Sequence, residues 1–286
     1  MTDLRFAATI AACALTGPLH AEEPPRIEAE TVESWAVVAA NQGVGVDDAH
    51  VYAVDNHTIV KLDKATGQEV GRWEGGGEGQ ILHLDSAVVL DGKLYAAHSN
   101  YPEWPMTSSV EIWDAATMEH LDSHSFGIDR GSLTWLDRHD GFWWATFANY
   151  NRLFERSSVS YGNKWNTQMV KLDDQFRVVE AWVFPAALIE SFEDMSNSGG
   201  SWGPDGRLYI SGHDKPEVYA LELPKAGSEL VWVGTIAVSS TGQGFAWDRS
   251  AQQPTIYAMI RGQEDSGNRV TVNTIDIASA PWAQAE

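Results

Sequence analysis

A chain of 286 residues with 43% hydrophobic content holds enough apolar material for one well-buried domain or a repeat array. Its formal charge is −21, from 40 acidic against 19 basic residues without a basic run, which excludes binding to a phosphate backbone and disfavours anionic membrane surfaces. Its single cysteine, Cys13, excludes a disulfide framework.

Met1–Ala21 reads as a secretory signal peptide: a basic Arg5, an apolar run from Phe6 to Leu15, and a small residue ahead of Glu22. The run is too short to span a bilayer, so no membrane insertion is expected. Cys13 follows Ile-Ala-Ala and weakly resembles a lipoprotein acylation site, but Asp3 and Arg5 stand too close to it. Cleavage after Ala21 predicts a periplasmic or secreted protein whose residues 22–286 form a single domain without cysteine.

The rest of the chain repeats one unit. Its clearest copy is Asn197–Asp214: a Gly/Ser run, a short strand, a Pro204-Asp205-Gly206 turn, and a second strand ending at His213-Asp214. The second strand of each unit carries an aromatic anchor: Tyr52, Tyr95, Trp144, Tyr209 and Tyr257. The anchors recur at intervals of roughly 40–65 residues, near the length of a four-stranded blade. First strands are expected at Gly43–Val46, Ser86–Val89, Ser132–Leu136, Gly200–Gly203 and Gly244–Asp248. Third strands follow the anchors, and fourth strands are readable in four units: Glu69–Trp73, Met118–Phe126, Phe176–Phe184 and Leu230–Val238. The fifth unit ends without one, and Arg26–Ser34 precedes the first unit as an orphan strand. The prediction is an all-β, five-bladed β-propeller in which Arg26–Ser34 closes the last blade and removes an open sheet edge.

Antiparallel alternation places the starts of first strands and the ends of second strands on one face. The opposite face holds tight turns such as Asp91-Gly92 and Asp205-Gly206, to which no chemistry is assigned. The first face gathers His83, Asp85, Arg130, Asn197 and Gln243 at strand starts, and His98, Asn100, Asn149, His213, Asp214 and Arg261 at strand ends. The longest loops open there, carrying Tyr101, Trp104, Tyr150, Tyr161 and Trp165, which could stack on a sugar ring or cover an apolar ligand. Pro185–Ser196 reads as a short helix leading into the fourth blade.

His83, His98 and His213 come from different units and are the candidate catalytic residues, as general acids or bases near neutral pH. Alternatively the same three hold one divalent metal ion with an open position, although no contiguous motif such as H-E-x-x-H supports a metal. Arg130 and Arg261 are candidates for pairing with a substrate carboxylate, alongside Asn100, Asn149, Asn197, Gln243, Tyr101 and Trp104 as binding residues. The bland reading is a strand-end histidine that hydrogen-bonds backbone in a wet funnel. A carboxylate pair for glycoside hydrolysis is possible among the acids at this face (Asp55, Asp85, Asp129, Asp214, Glu264, Asp265), but without the signature of one group of five-bladed glycosidases; no G-x-S-x-G elbow is present, and Gly75–Gly79 lacks the following Lys-Ser/Thr of a phosphate loop.

The segments His83–Pro102, Met106–Gly127, Asn197–Pro224 and Gly242–Ser250 resemble a group of exported bacterial propeller proteins labelled cycloisomerase-like. More distantly, the Gly203–Tyr209 turn resembles that of gluconolactonase-type propellers. The resemblance implies isomerase, lyase or lactonase chemistry on a polar small molecule such as a lactone or sugar acid. The competing readings are a non-catalytic ligand-binding propeller and a protein-interaction scaffold. The five unlike strand ends argue for a single asymmetric central site rather than one site per blade.

Overall fold

The computed structural model describes residues 23–77, 79–103, 105–151 and 163–284. They form five antiparallel blades, and the fold is the expected five-bladed β-propeller. Blade one comprises Gly43–Val46, His50–Asp55, Thr58–Asp63 and Glu69–Glu74. Blade two comprises His83–Leu90, Lys93–Ser99, Ser108–Asp114 and His120–Gly127. Blade three comprises Ser132–His139, Phe142–Ala148, Gln168–Leu172 and Val178–Val183. Blade four comprises Gly199–Trp202, Leu208–Ser211, Glu217–Glu222 and Val231–Ala237. Blade five takes Ala246–Trp247, Thr255–Ile260 and Arg269–Thr274 from the end of the chain and Glu30–Ala36 from its beginning. The inner strands touch in cyclic order, one to two through to five back to one, which closes the ring. The expected short helix is present at Ala186–Ser191, started by Pro185. No helix among the described residues is long and apolar enough to cross a membrane.

The closing strand is right in its second half and corrected in its first. Glu30–Ala36 pairs antiparallel with Arg269–Thr274, as expected of the outer strand of blade five. Arg26–Glu28 instead pairs in parallel with Val231–Ala237 and makes a fifth strand on blade four. Only Ala29 separates the two, so one segment bridges adjacent blades. The outer edge of blade four offers unpaired backbone groups that this short strand satisfies. Arg26 then pairs with Glu217, and Ile27 and Ala29 join the apolar layer between blades four and five.

That layer has counterparts around the ring. Trp135, Trp144, Trp182 and Trp202 fill the space between blades three and four. Tyr52, Leu94 and Trp113 do so between blades one and two. Each such side chain contributes on the order of 1.5–3 kcal/mol through burial. The tight turns of the far face serve this core directly. Asp47 accepts the Tyr52 hydroxyl at 2.7 Å, and Asp205 accepts that of Tyr209 at 2.8 Å. Two of the anchor aromatics are thus tied to the turn before them. At the axis, a Cβ on Gly244 would lie 2.3 Å from Ser86 Oγ and 2.9 Å from Gly43 Cα. Glycine is required there because blades five, one and two converge.

Candidate active site

A cavity of about 200 Å³ opens at the face where first strands start, and every blade contributes to its wall. Blade one supplies Gln42, and blade two supplies His83, Asp85 and Tyr101. Blade three gives Thr134 and Tyr150, blade four gives Met195, Ser198 and His213, and blade five gives Gln243 and Arg261.

His83 and Asp85 open the inner strand of blade two and, being two residues apart, share one face of it. A bulge in the pairing between Leu84 and Ala87 follows at once, the kind of irregularity that re-aims side chains beside a site. His83 Nδ1 lies 2.6 Å from Asn56 Oδ1, an oxygen that also accepts from Gln42 Nε2 at 3.1 Å. An amide oxygen only accepts, so His83 Nδ1 carries a hydrogen. Its Nε2 faces Asp85 Oδ2 at 3.4 Å. Burial pushes the Asp85 carboxyl above its ordinary range, offset first by His83 and then by His213 and Arg261. Burial therefore favours the protonated form of this carboxyl.

His213 is the opposite case. It follows the second strand of blade four, where its Nδ1 donates to Asp214 Oδ1 at 2.7 Å. Burial, and the Arg261 guanidinium beside it, push the imidazole below 6.5, while Asp214 and Asp85 pull it partly back. At neutral pH its Nε2 is accordingly a lone pair. Arg261 Nη2 donates to His213 O at 3.0 Å and stands 3.5 Å from Asp214 Oδ1, locking the two blades together at this point. Burial also lowers Arg261, which stays cationic because guanidinium starts so high.

The rest of the wall is polar and under-used. Thr134 Oγ1 is buried and has no hydrogen-bond partner among the described residues. Gln243 is held at φ 72, a left-handed conformation uncommon for glutamine, with its N donating to Gly212 O and its carbonyl accepting from Ser211 Oγ. Such strain concentrates at functional sites. Tyr101 covers the cavity, its ring 4.9 Å from that of His83 and 5.7 Å from that of Tyr150.

Seven of the residues singled out in the sequence thus meet: His83, Asp85, His213, Arg261, Gln243, Tyr101 and Tyr150. The others do not. His98 is turned away: it pairs with Leu84 across the hairpin, so it shares the face of Leu84 and not that of His83. Its Nε2 accepts from Leu82 N at 3.1 Å and its Nδ1 meets Ser109 Oγ at 2.8 Å, which in turn donates to Glu111. Both ring nitrogens are used internally, and burial lowers the imidazole to about 4. The expected three-histidine metal site is corrected with it. No group of three or more His, Cys, Asp or Glu among the described residues could hold a metal ion. Asn197 is a buried strut that accepts from Trp135 Nε1 and donates to Gly199 O and Ser211 O. Asn100 braces its own loop through Pro105 O and Thr107 N. Arg130 and Asn149 line a separate groove on the flank of blade three. Trp104 and Tyr161 lie outside the described residues, as does Met1–Ala21. Thr134 and Met195 were missed; Thr134 has a readable signal, since Ser132-Leu133-Thr134 repeats the register of His83-Leu84-Asp85.

No family model matches the chain, and no curated protein matches it. Solved structures do. The fold is similar to that of a GH43 β-xylosidase/α-arabinofuranosidase from a compost microbial metagenome, solved with xylotriose, at 11% identity and a TM-score of 0.55 over 85% of this chain and 94% of that one. It is also similar to the PQQ-bound aldose sugar dehydrogenase of Streptomyces coelicolor, at 11% identity and a TM-score of 0.49 over 88% and 99%. At such identity the likeness concerns the propeller fold.

Proposed function

We propose that the chain is an enzyme of the cycloisomerase-like propeller group, acting by acid–base chemistry on a small polar molecule such as a lactone or sugar acid. The observation that carries this reading is two histidine–carboxylate pairs lining one cavity, His213 with Asp214 at 2.7 Å and His83 with Asp85 at 3.4 Å. Asp214 orients His213 to take a proton at Nε2, and burial favours the protonated Asp85 carboxyl beside His83 as the donor. For a lactone, His213 Nε2 draws a proton from water as its oxygen attacks the carbonyl. The ring oxygen then leaves with the proton of the Asp85 carboxyl, giving the hydroxy acid. Isomerisation and elimination use the same two steps, one proton taken and one returned. Arg261 and Gln243 supply donors for a carboxylate. The volume, below the roughly 300–1,000 Å³ of pockets for drug-sized ligands, limits the substrate to a small molecule.

A melting-temperature screen of aldonic acids and their lactones tests the reading, because a ligand that binds only the folded state raises Tm. The compound that raises Tm is expected to be turned over by the wild type. Asp85→Asn, which cannot supply a proton, is expected to bind it and turn it over at least a hundredfold more slowly. Unchanged turnover in Asp85→Asn, or no response to any acid or lactone, rejects the assignment. Export belongs to the same proposal. Sequencing of the mature N-terminus is expected to begin at Glu22.

A further inference from the structure

A second cavity, of about 570 Å³, runs along the flank of blade three on the same face as the first. Asn149 and Tyr150 are consecutive, yet Asn149 lines this groove and Tyr150 the central cavity. The two are separate places with separate chemistry.

One side of the groove is apolar. Trp165, 43% exposed, stands on the single turn Lys164–Asn166, and exposed Ile128 and Val183 and the buried Trp182 line the groove with it. Apolar side chains gathered in one groove with polar residues at its rim mark a ligand site more often than a lone exposed side chain does. This one is fixed in place: Asn163 Oδ1 accepts from Trp165 N at 3.0 Å, and the Lys164 ammonium lies 5.7 Å from the ring centroid. The other side is polar and centred on Arg130. Its Nη2 is 3.8 Å from the exposed carboxylate of Asp129, and its Nη1 is 3.4 Å from Gln168 Oε1. Arg138, Arg207 and Arg249 by contrast hold carboxylates at 2.6, 2.7 and 2.7 Å. In a chain with 40 acidic and 19 basic residues, a guanidinium this loosely paired among the described residues has kept its charge available. Asn149 Nδ2 donates to both Arg130 O and Asn166 O, so one amide fixes the polar and apolar sides relative to each other.

We propose that this groove is a saccharide-binding site for an acidic sugar chain, with one uronate ring lying on Trp165 and its carboxylate on Arg130. A sugar presents an apolar C–H face to an indole and hydroxyls to its sides. A carboxylate matches the planar fork of arginine, and Gln168 is placed to take a ring hydroxyl. The inference does not depend on the chemistry of the central cavity, and its test reads binding rather than turnover.

Isothermal titration of the full chain with a galacturonate trisaccharide, and separately with the neutral galactose trisaccharide, decides it. The wild type is expected to bind the acidic sugar more tightly than the neutral one. Trp165→Ala is expected to weaken both about tenfold. Arg130→Gln is expected to weaken the acidic sugar about tenfold and the neutral sugar less than twofold. Arg130→Lys, which keeps the charge and loses the fork, is expected to fall between wild type and Arg130→Gln. Melting temperatures within a few degrees of wild type confirm folding of each variant. No binding by the wild type at millimolar sugar, or affinities that neither Trp165→Ala nor Arg130→Gln changes, overturns the proposal.

Discussion

The two ends of the propeller axis are built from the same five inner strands and differ in how their polar groups are used. At the far face, around a cavity of about 500 Å³, the buried carboxylate of Asp137 receives Arg249 Nη2 at 2.7 Å, Ser201 Oγ at 3.0 Å and Trp202 N at 2.8 Å. Asp248 there holds Lys64 at 2.6 Å and the Ser250 hydroxyl at 2.7 Å. At the near face Asp85 meets only His83, at 3.4 Å, and Thr134 Oγ1 meets nothing among the described residues. A saturated carboxylate stabilises the ring, whereas an unsaturated one is available to a ligand. Cavity volume alone would select the far end, whose carboxylates are already saturated.

Substitutions at the two ends should separate along that line. His213→Ala is expected to lower kcat by about a thousandfold, within the range for loss of a general base, with Tm within a few degrees of wild type. Loss of stability without loss of turnover would erase the distinction. Asp137→Ala should do the reverse. It strands two buried donors and unpairs Arg249, costing on the order of 3 kcal/mol, while turnover at temperatures where the variant is folded is unchanged. Denaturant unfolding measures this.

His98 belongs to neither end, and its effect is a pH dependence of stability. Its folded pKa, near 4, lies below its unfolded value of 6.5, so the unfolded chain binds the extra proton between them. The contribution is complete above pH 6.5 and is lost as pH falls toward 4. The stability advantage of wild type over His98→Asn should shrink across that window; a constant difference would contradict the buried neutral imidazole.

The smallest expected effect concerns the base itself. Beside burial, Arg261 helps to depress His213, so the acidic limb of kcat/KM should lie below pH 6.5 and move upward in Arg261→Gln. A limb that stays in place would assign it to another group.

Much of the fold was legible because a propeller repeats, and each copy of the anchor aromatic confirmed the others. The parallel pairing of Arg26–Glu28 was not, since three residues carry no period and nothing local distinguishes one blade edge from the next. In the site, His83, His213 and Arg261 were found by asking which face a strand end reaches. His98 was misplaced because that question has a second part, the side of the sheet, which flips with every residue. His83 stands opposite Ser99, and this leaves His98 behind the wall. Arg130 and Asn149 failed differently. They lie on the correct face, but radial distance from the axis is set by blade packing, and no spacing along the chain encodes it.

The strap from Arg26 to Ala36 has a consequence for how the molecule is made. Thr274 meets Glu30 across 244 residues of intervening chain. Blade five cannot be completed until its C-terminal strands exist, and a contact this distant in sequence carries a large entropic cost before it is rewarded. Arg26–Glu28 has its partner once blade four exists, but Glu30–Ala36 has none until Arg269–Thr274 exists, so this closure of blade five depends on both ends of the described chain.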